Sequence, residues 1–230
     1  MRVHAILTAA GSGSRYNRHT LHKNNVPKQF LKLNGKAVLL YSLITLQKSK
    51  LIDEIIVTSD SKYFGLIHAL AVKNHISKLS ALVEGGKTRF ISVRNAFKQI
   101  IADKNDLIII HDAVRPALNN KMINEIINEA IKYGEVIYGI RVSDTIKLVN
   151  KNIIKVTLNR DNLRAIQTPQ VFRYKTLVNS YNRSLKKNDH TDESSIVESA
   201  GYRVRILEGS PKNIKITTPD DFKLLKQILK

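Results

Sequence analysis

Short apolar runs and longer amphipathic stretches alternate along the first two thirds of the chain. HAILTAAG (4–11), DEIIVTSD (53–60), LSALVEGG (79–86), DLIIIHDAVRP (106–116) and VIYGIRV (136–142) are apolar runs bounded by turn residues. That pattern predicts strands buried on both faces. Between them, residues 37–47 are apolar on nearly every side and read as a helix, as do residues 64–74. Residues 88–102 place Phe90, Val93, Phe97, Ile100 and Ile101 at helical spacing on one side. Residues 120–134 form an amphipathic pattern ended by Gly134. Strand and helix in this order argue an α/β fold, a mostly parallel twisted sheet with helices on both faces. Ligands in such folds bind at the carboxyl ends of the strands.

The pattern changes near residue 143. SDTIKLV and IIKVTLNR partly alternate apolar and polar residues around NKN (150–152), which predicts a β-hairpin. Its place between alternating units makes it a protruding arm, residues 143–160, and not a second domain. QTPQVF follows, then a helical stretch over 174–186. In TDESSIVESAG (191–201) either Thr191 or Asp192 caps a helix. YRVRILEG and the start of NIKITTPDDFKLLKQILK read as strands. Thr218, Pro219, Asp220 and Asp221 then form a helix start. With no long linker and no internal repeat, residues 1–230 are expected to form one domain.

Composition narrows the function classes. The 230 residues contain no Cys, which removes thiol catalysis, iron–sulfur ligation and disulfides. No stretch reaches the roughly 18 apolar residues of a membrane span. The N-terminal apolar run is too short for a signal peptide, and the first strand starts almost at Met1. A cytoplasmic protein without membrane association is the expectation. Lys and Arg number 38 against 19 acidic residues, a formal charge of +19. That excess fits a nucleic-acid partner, a site that collects phosphates, or a lysine-rich surface. The nucleic-acid reading lacks supporting features: no zinc spacing, no basic recognition helix and no basic strand interleaved with aromatics.

The candidate chemistry sits where the strands end. Ala9, Ala10, Gly11, Ser12, Gly13, Ser14 and Arg15 follow the first strand. Small residues here let backbone N–H groups approach an anion, and Arg15 adds charge. An ordinary strand-to-helix turn has the same look. The loop lacks the Gly-Lys-Ser/Thr ending of a P-loop. Tyr16 stands where a dinucleotide fingerprint has its third Gly or Ala, and no acidic residue follows at the required distance. Nicotinamide chemistry is therefore disfavoured. Lys28 follows Pro27, which fixes its backbone, and is placed to neutralise a triphosphate. Between them lies a polar, basic stretch expected to be a mobile loop, whose His19 and His22 have no supporting metal ligands. Asp112 ends the Ile run, where a carboxylate needs a partner. It suits Mg²⁺ shared with phosphate oxygens, or a salt bridge to Arg115. His111 beside it also suits a satisfied core residue. Thr145, Arg160, Thr191 and Lys215 are hydroxyls and cations near element boundaries, able to hold a second phosphate if they converge.

AAGSGSR, PKQF, GGKTRFISV, HDAVRP, DTIK, NR before AIQTPQVF, TDESS and NIKITTPDD occur in this order over essentially the whole chain. Together they resemble the 2-C-methyl-D-erythritol 4-phosphate cytidylyltransferases. The resemblance implies a Rossmann-like sheet, CTP and Mg²⁺ as co-substrate and cofactor, and a methylerythritol phosphate acceptor. It implies a triphosphate cradle at the Gly-rich loop, with Arg15 and Lys28 as the main catalytic cations. It implies a cytosine and ribose site around Gly85, Gly86 and Ser92, and a Mg²⁺-linked carboxylate at Asp112. Arg115 becomes a substrate-side arginine, and Thr191 and Lys215 become substrate-phosphate and CTP contacts. Thr145 and Arg160 become arm residues supplied by the other subunit of a homodimer. One departure is a stretch between Arg15 and Pro27 that is longer than the family's. The related ribitol 5-phosphate cytidylyltransferases share the fold and most phosphate contacts; GGKTR, HDAVRP and TDESS lean toward the methylerythritol enzymes. A fusion to a later cyclodiphosphate synthase is not expected of this chain.

Overall fold

The computed structural model describes residues 1–13, 16, 26–183 and 190–230. Ser14, Arg15, the stretch 17–25 with His19 and His22, and the end of the helical stretch expected to reach 186 lie outside the described residues. In chain order the strands are β1 (Val3–Thr8), β2 (Lys32–Leu33), β3 (Lys36–Ala37), β4 (Glu54–Ser59), β5 (Leu79–Glu84), β6 (Leu107–Asp112), β7 (Val136–Arg141), β8 (Lys147–Asn150), β9 (Ile153–Thr157), β10 (Arg164–Arg173) and β11 (Arg205–Glu208). The helices are α1 (Val38–Lys48), α2 (Phe64–Lys73), α3 (Arg89–Phe97), α4 (Asn120–Tyr133), α5 (Tyr174–Arg183), α6 (Glu193–Ser199) and α7 (Pro219–Ile228).

Seven strands form one sheet in the order β11-β7-β10-β6-β1-β4-β5. Its parallel centre is β6-β1-β4-β5, with Val3 opposite Leu107 and Thr8 opposite Asp112. Only β10 runs antiparallel, between β6 and β7. Alternation along each strand divides the core. Ala5, Leu7, Ile109 and Val57 pack with α1, α2 and α4, while Ile6, Ile56, Ile108 and Ile110 pack with α3, α5 and α6. A third cluster sets Leu225 of α7 against Leu33, Val38, Val114 and Ile216. The expected fold, a mostly parallel twisted sheet with helices on both faces and a β-hairpin, is the one observed. Among the described residues no helix is long and apolar enough to cross a membrane.

Three details differ from the sequence expectations. Helix α3 ends at Phe97, short of residue 102: Gln99 and Ile100 donate to carbonyls three residues back, so the last turn tightens. Ile100 stays in the core, but Ile101 is 92% exposed. NIKITT forms no strand; the Ile216 N–H instead bonds the Val114 carbonyl at 2.9 Å. The ten-residue strand β10, which contains QTPQVF, was not anticipated. The arm hairpin pairs β8 with β9 in a sheet of its own. It turns on Lys151 and Asn152, both at positive φ, so Asn150 belongs to the strand.

Asp192, not Thr191, caps α6 by accepting from the Ser195 N–H. At α7 the Thr218 hydroxyl accepts from the Asp221 N–H while the Asp221 carboxylate accepts from the Thr218 N–H at 2.7 Å. This reciprocal cap fixes the helix that closes the third cluster. Thr218→Ala is expected to lower unfolding free energy by about 1 kcal/mol. Urea denaturation measures this, and an unchanged midpoint would exclude the cap as a stabilising element.

Candidate active site

Connections from β1 run to β4 and β5 on one side, whereas β6 enters the sheet on the other. The carboxyl ends of β1 and β6 therefore flank a topological switch point, where a crevice opens. A cavity of about 770 Å³ lies there. Its floor is the loop after β1. The Ala9 N–H bonds the Thr58 carbonyl, and the buried Gln29 amide donates to the Ala9 and Gly11 carbonyls at 2.6 and 3.1 Å. Gly13 has φ 72, a left-handed conformation that favours glycine. On the opposite wall, a Cβ on Gly85 would lie 2.1 Å from the Ala10 Cβ, so glycine there permits close approach of the two loops. Ser92 is buried, its Oγ accepting from the Gly86 N–H at 3.0 Å and donating to the Thr88 carbonyl at 2.9 Å. It pins this wall.

Asp112 is the centre of the site. Its Oδ1 accepts from Arg89 Nε at 3.0 Å and Thr8 Oγ1 at 3.2 Å; its Oδ2 accepts from Lys215 Nζ at 2.6 Å. Arg115 Nε lies 3.8 Å from Oδ2. Burial pushes this carboxyl up, but Arg89, Lys215 and Arg115 outweigh it and hold it well below the usual carboxylate range. Arg89 also donates to Glu193, whose carboxyl is fully buried and pushed up by that burial despite the pairing. Behind Asp112, its own N–H donates to Thr168 Oγ1, and Thr168 faces His111 Nδ1 at 3.2 Å. His111 Nε2 faces the Arg115 carbonyl, an acceptor only, so Nε2 carries the proton. Burial drives the His111 pKa down to about 4, leaving a neutral imidazole that is a satisfied structural group.

Of the expected site residues, Ala9, Ala10, Gly11, Ser12, Gly13, Lys28, Gly86, Ser92, Asp112, Thr191 and Lys215 line one cavity. Lys28 Nζ donates to the Ile216 carbonyl at 2.6 Å. Gly85 backs the wall. Arg115, expected as a substrate-side arginine, does not line this cavity: it is 9% exposed, its Nη1 donates to the Asn213 carbonyl at 2.7 Å, and it lies beside Asp112. Thr145 and Arg160 are exposed on the arm and do not line this cavity; Arg160 bonds the Ser143 carbonyl. Ser14 and Arg15 are outside the described residues. Arg89, Glu193 and Gln29 lie in the quoted motifs GGKTRFISV, TDESS and PKQF but are not among the expected site residues. Arg89 had one usable signal, a cation in the first turn of a helix, where the dipole opposes it unless it is paired. Glu193 had only its place in TDESS, because an acid in a first turn is otherwise ordinary.

Asp112 suits a divalent cation. Mg²⁺ is commonly held by one or two carboxylates together with substrate phosphates. The partner of Oδ2 is a flexible, partly exposed lysine that can exchange for an ion. Among the described residues no group of three or more acidic or His side chains is arranged to hold a metal by itself.

The family model of 2-C-methyl-D-erythritol 4-phosphate cytidylyltransferase (IspD) matches residues 3–230. The chain belongs to that family. It is 38% identical over 228 residues to the Clostridium novyi 2-C-methyl-D-erythritol 4-phosphate cytidylyltransferase, covering 98% of this chain and 95% of that one. The solved Francisella tularensis cytidylyltransferase superposes with a TM-score of 0.82 at 32% identity, covering 99% of each chain. The Anaerococcus prevotii 4-diphosphocytidyl-2C-methyl-D-erythritol synthase gives 0.84 at 29% identity, covering 99% of this chain and 96% of that one. The protein is thus a CTP-dependent nucleotidyltransferase.

The cytidylyltransferase should lose stability on acidification through His111. Its folded pKa lies below the unfolded value of 6.5, so its contribution is complete above 6.5 and lost as pH falls toward 4. The limiting slope is about 1.4 kcal/mol per pH unit. Denaturation of wild type and His111→Gln across this range should show a shallower dependence in the variant. Parallel curves would refute the assignment.

Proposed function

We propose that the chain is a cytoplasmic homodimer that transfers cytidylyl from CTP to 2-C-methyl-D-erythritol 4-phosphate, giving 4-diphosphocytidyl-2-C-methyl-D-erythritol and pyrophosphate. The observation that carries this reading is the ring of cations, Arg89, Lys215 and Lys28, on a cavity floored by a Gly-rich loop at the switch point. The acceptor's phosphate oxygen attacks the CTP α-phosphorus in line. The bond from that phosphorus to the bridging oxygen breaks, and pyrophosphate leaves with the electron pair. A phosphate monoester is already ionised at neutral pH, so the attack needs no general base. A neutral, enclosed His111 is consistent with that.

The energetic problem is the meeting of two anions. The loop of Ala9, Ala10, Gly11, Ser12, Gly13 and Ser14, with Arg15 and Lys28, takes the triphosphate. Gly85, Gly86 and Ser92 shape the cytosine and ribose side. Asp112 would hold Mg²⁺ with the phosphates, and the ion when bound neutralises charge developing on the phosphoryl oxygens. Lys215 moves from Asp112 to a phosphate, and Thr191 meets the acceptor. Arg115 supports Asp112 from the side. Each preorganised donor of this kind contributes about 3 kcal/mol to lowering the barrier.

The second substrate's remaining contacts come from the partner's arm. Residues 143–160 leave the domain formed by the rest of 1–230, and Leu148, Val149, Ile153 and Ile154 are each more than half exposed in the single chain. An apolar ribbon of this size favours burial against another subunit. Thr145 and Arg160, remote from their own chain's cavity, are then available to the other.

The reading is tested by supplying CTP with either methylerythritol 4-phosphate or ribitol 5-phosphate and measuring pyrophosphate release. Turnover is expected with the first; preference for the second would reassign the acceptor. Lys28→Ala and Arg15→Ala should each reduce turnover on the order of 10²-fold. A folded variant with near wild-type turnover would remove that residue from the mechanism. Arg160→Glu should weaken the sugar phosphate more than CTP in separate titrations; equal loss for both ligands would contradict the arm's role.

A further inference from the structure

Lys215 reaches Asp112 from residues 209–217, a segment that contains neither helix nor strand. Backbone bonds hold it near its two ends, from the Gly209 N–H to the Gly139 carbonyl and from the Ile216 N–H to the Val114 carbonyl, both at 2.9 Å, which leaves the stretch between them to be placed by side chains. Two buried amides fill that place, and neither lines the cavity. Gln167 is 5% exposed, on β10 at the point where its register against β7 shifts. Its Oε1 accepts from the Ser210 N–H and from Asn213 Nδ2, both at 3.3 Å, while its Nε2 donates to the Ser210 carbonyl at 2.9 Å. A backbone donor and a backbone acceptor on the same residue fix which way the amide faces. Asn213, 1% exposed, also donates from Nδ2 to the Thr168 carbonyl at 2.9 Å. The approach is tight: a Cβ on Gly209 would lie 2.6 Å from Gln167 Oε1. Beyond this point the segment touches the site directly. The Asn213 carbonyl accepts from Arg115, and the Ile216 carbonyl accepts from Lys28.

We infer that Gln167 and Asn213 are positioning residues that lock the 209–217 segment and thereby aim Lys215 at the cavity. The Gln167 amide is committed to this segment through both its oxygen and its nitrogen, and Asn213 Nδ2 is committed to β10 through Gln167 and Thr168, so another course of the segment would strand those buried groups without partners. The segment carries Lys215 and receives Lys28 and Arg115, so the lock sets the spacing of three cations. Its catalytic consequence rests on the reading of Lys215 as a phosphate-side cation.

The test uses the full-length protein. Trace acetylation followed by mass spectrometry reports how accessible Lys215 is relative to other lysines. In Gln167→Leu, Lys215 labelling is expected to rise at least about 5-fold as its Asp112 contact loosens. Turnover should fall on the order of 10²-fold, the scale of a small misplacement. Lys215→Met added to Gln167→Leu should then cost little more, because both changes remove the same aimed cation. A merely structural role would leave the two losses additive. Asn213→Asp attacks the lock from the segment side and serves if Gln167→Leu does not fold; Gln167→Glu, which keeps the acceptor, should be intermediate. Unchanged Lys215 labelling in the folded variants, or additive losses, overturns the inference. Wild-type turnover in Lys215→Met would instead refute the phosphate-side reading, and the labelling would still decide the lock.

Discussion

Asp112 places a carboxylate inside the protein at the end of the central strand β6. A charge removed from water must be matched by partners at short range. Those partners come from separate parts of the chain: Arg89 opens α3, Thr8 ends β1, Lys215 lies in an irregular segment, and Arg115 follows β6 itself. The need to balance one buried charge therefore draws three walls of the cavity together. It also leaves the cavity cationic, because the partners outnumber the charge they serve.

The partners differ in how firmly they are held. Arg89 is clamped at its other end by the fully buried Glu193, whereas Lys215 makes its contact from a partly exposed side chain. This divides the cations into a fixed post and an exchangeable one. The guanidinium held at both ends keeps Asp112 oriented. His111, by contrast, is held neutral and hydrogen-bonded within the scaffold.

The charge of +19 takes a different meaning beside this geometry. Among the described residues the Lys and Arg that line the cavity are Lys28, Lys87, Arg89 and Lys215, so the charge there is concentrated on one site. Along the arm Leu148, Val149, Ile153 and Ile154 are exposed beside Lys147 and Lys155, so apolar as well as basic side chains face outward there.

Local sequence determined the α/β order, helices beginning near residues 88 and 120, the helix start at Thr218, and the arm hairpin, because caps, turns and apolar spacing act within a few residues. The ordered motifs determined the family. Local patterns could not reveal β10, whose antiparallel place depends on neighbours distant in sequence, nor the irregular course of NIKITT. They named Asp112 and Lys215 but not their contact, which spans 103 positions. Glu193 stood out only by its place in TDESS, because its sequence context is otherwise that of any helix start, and its burial is decided only by how α3 and α6 pack. Residue types able to serve a phosphate are legible along the chain. Which of them share one buried charge is settled by packing, because desolvation and pairing are properties of the folded neighbourhood and not of local order.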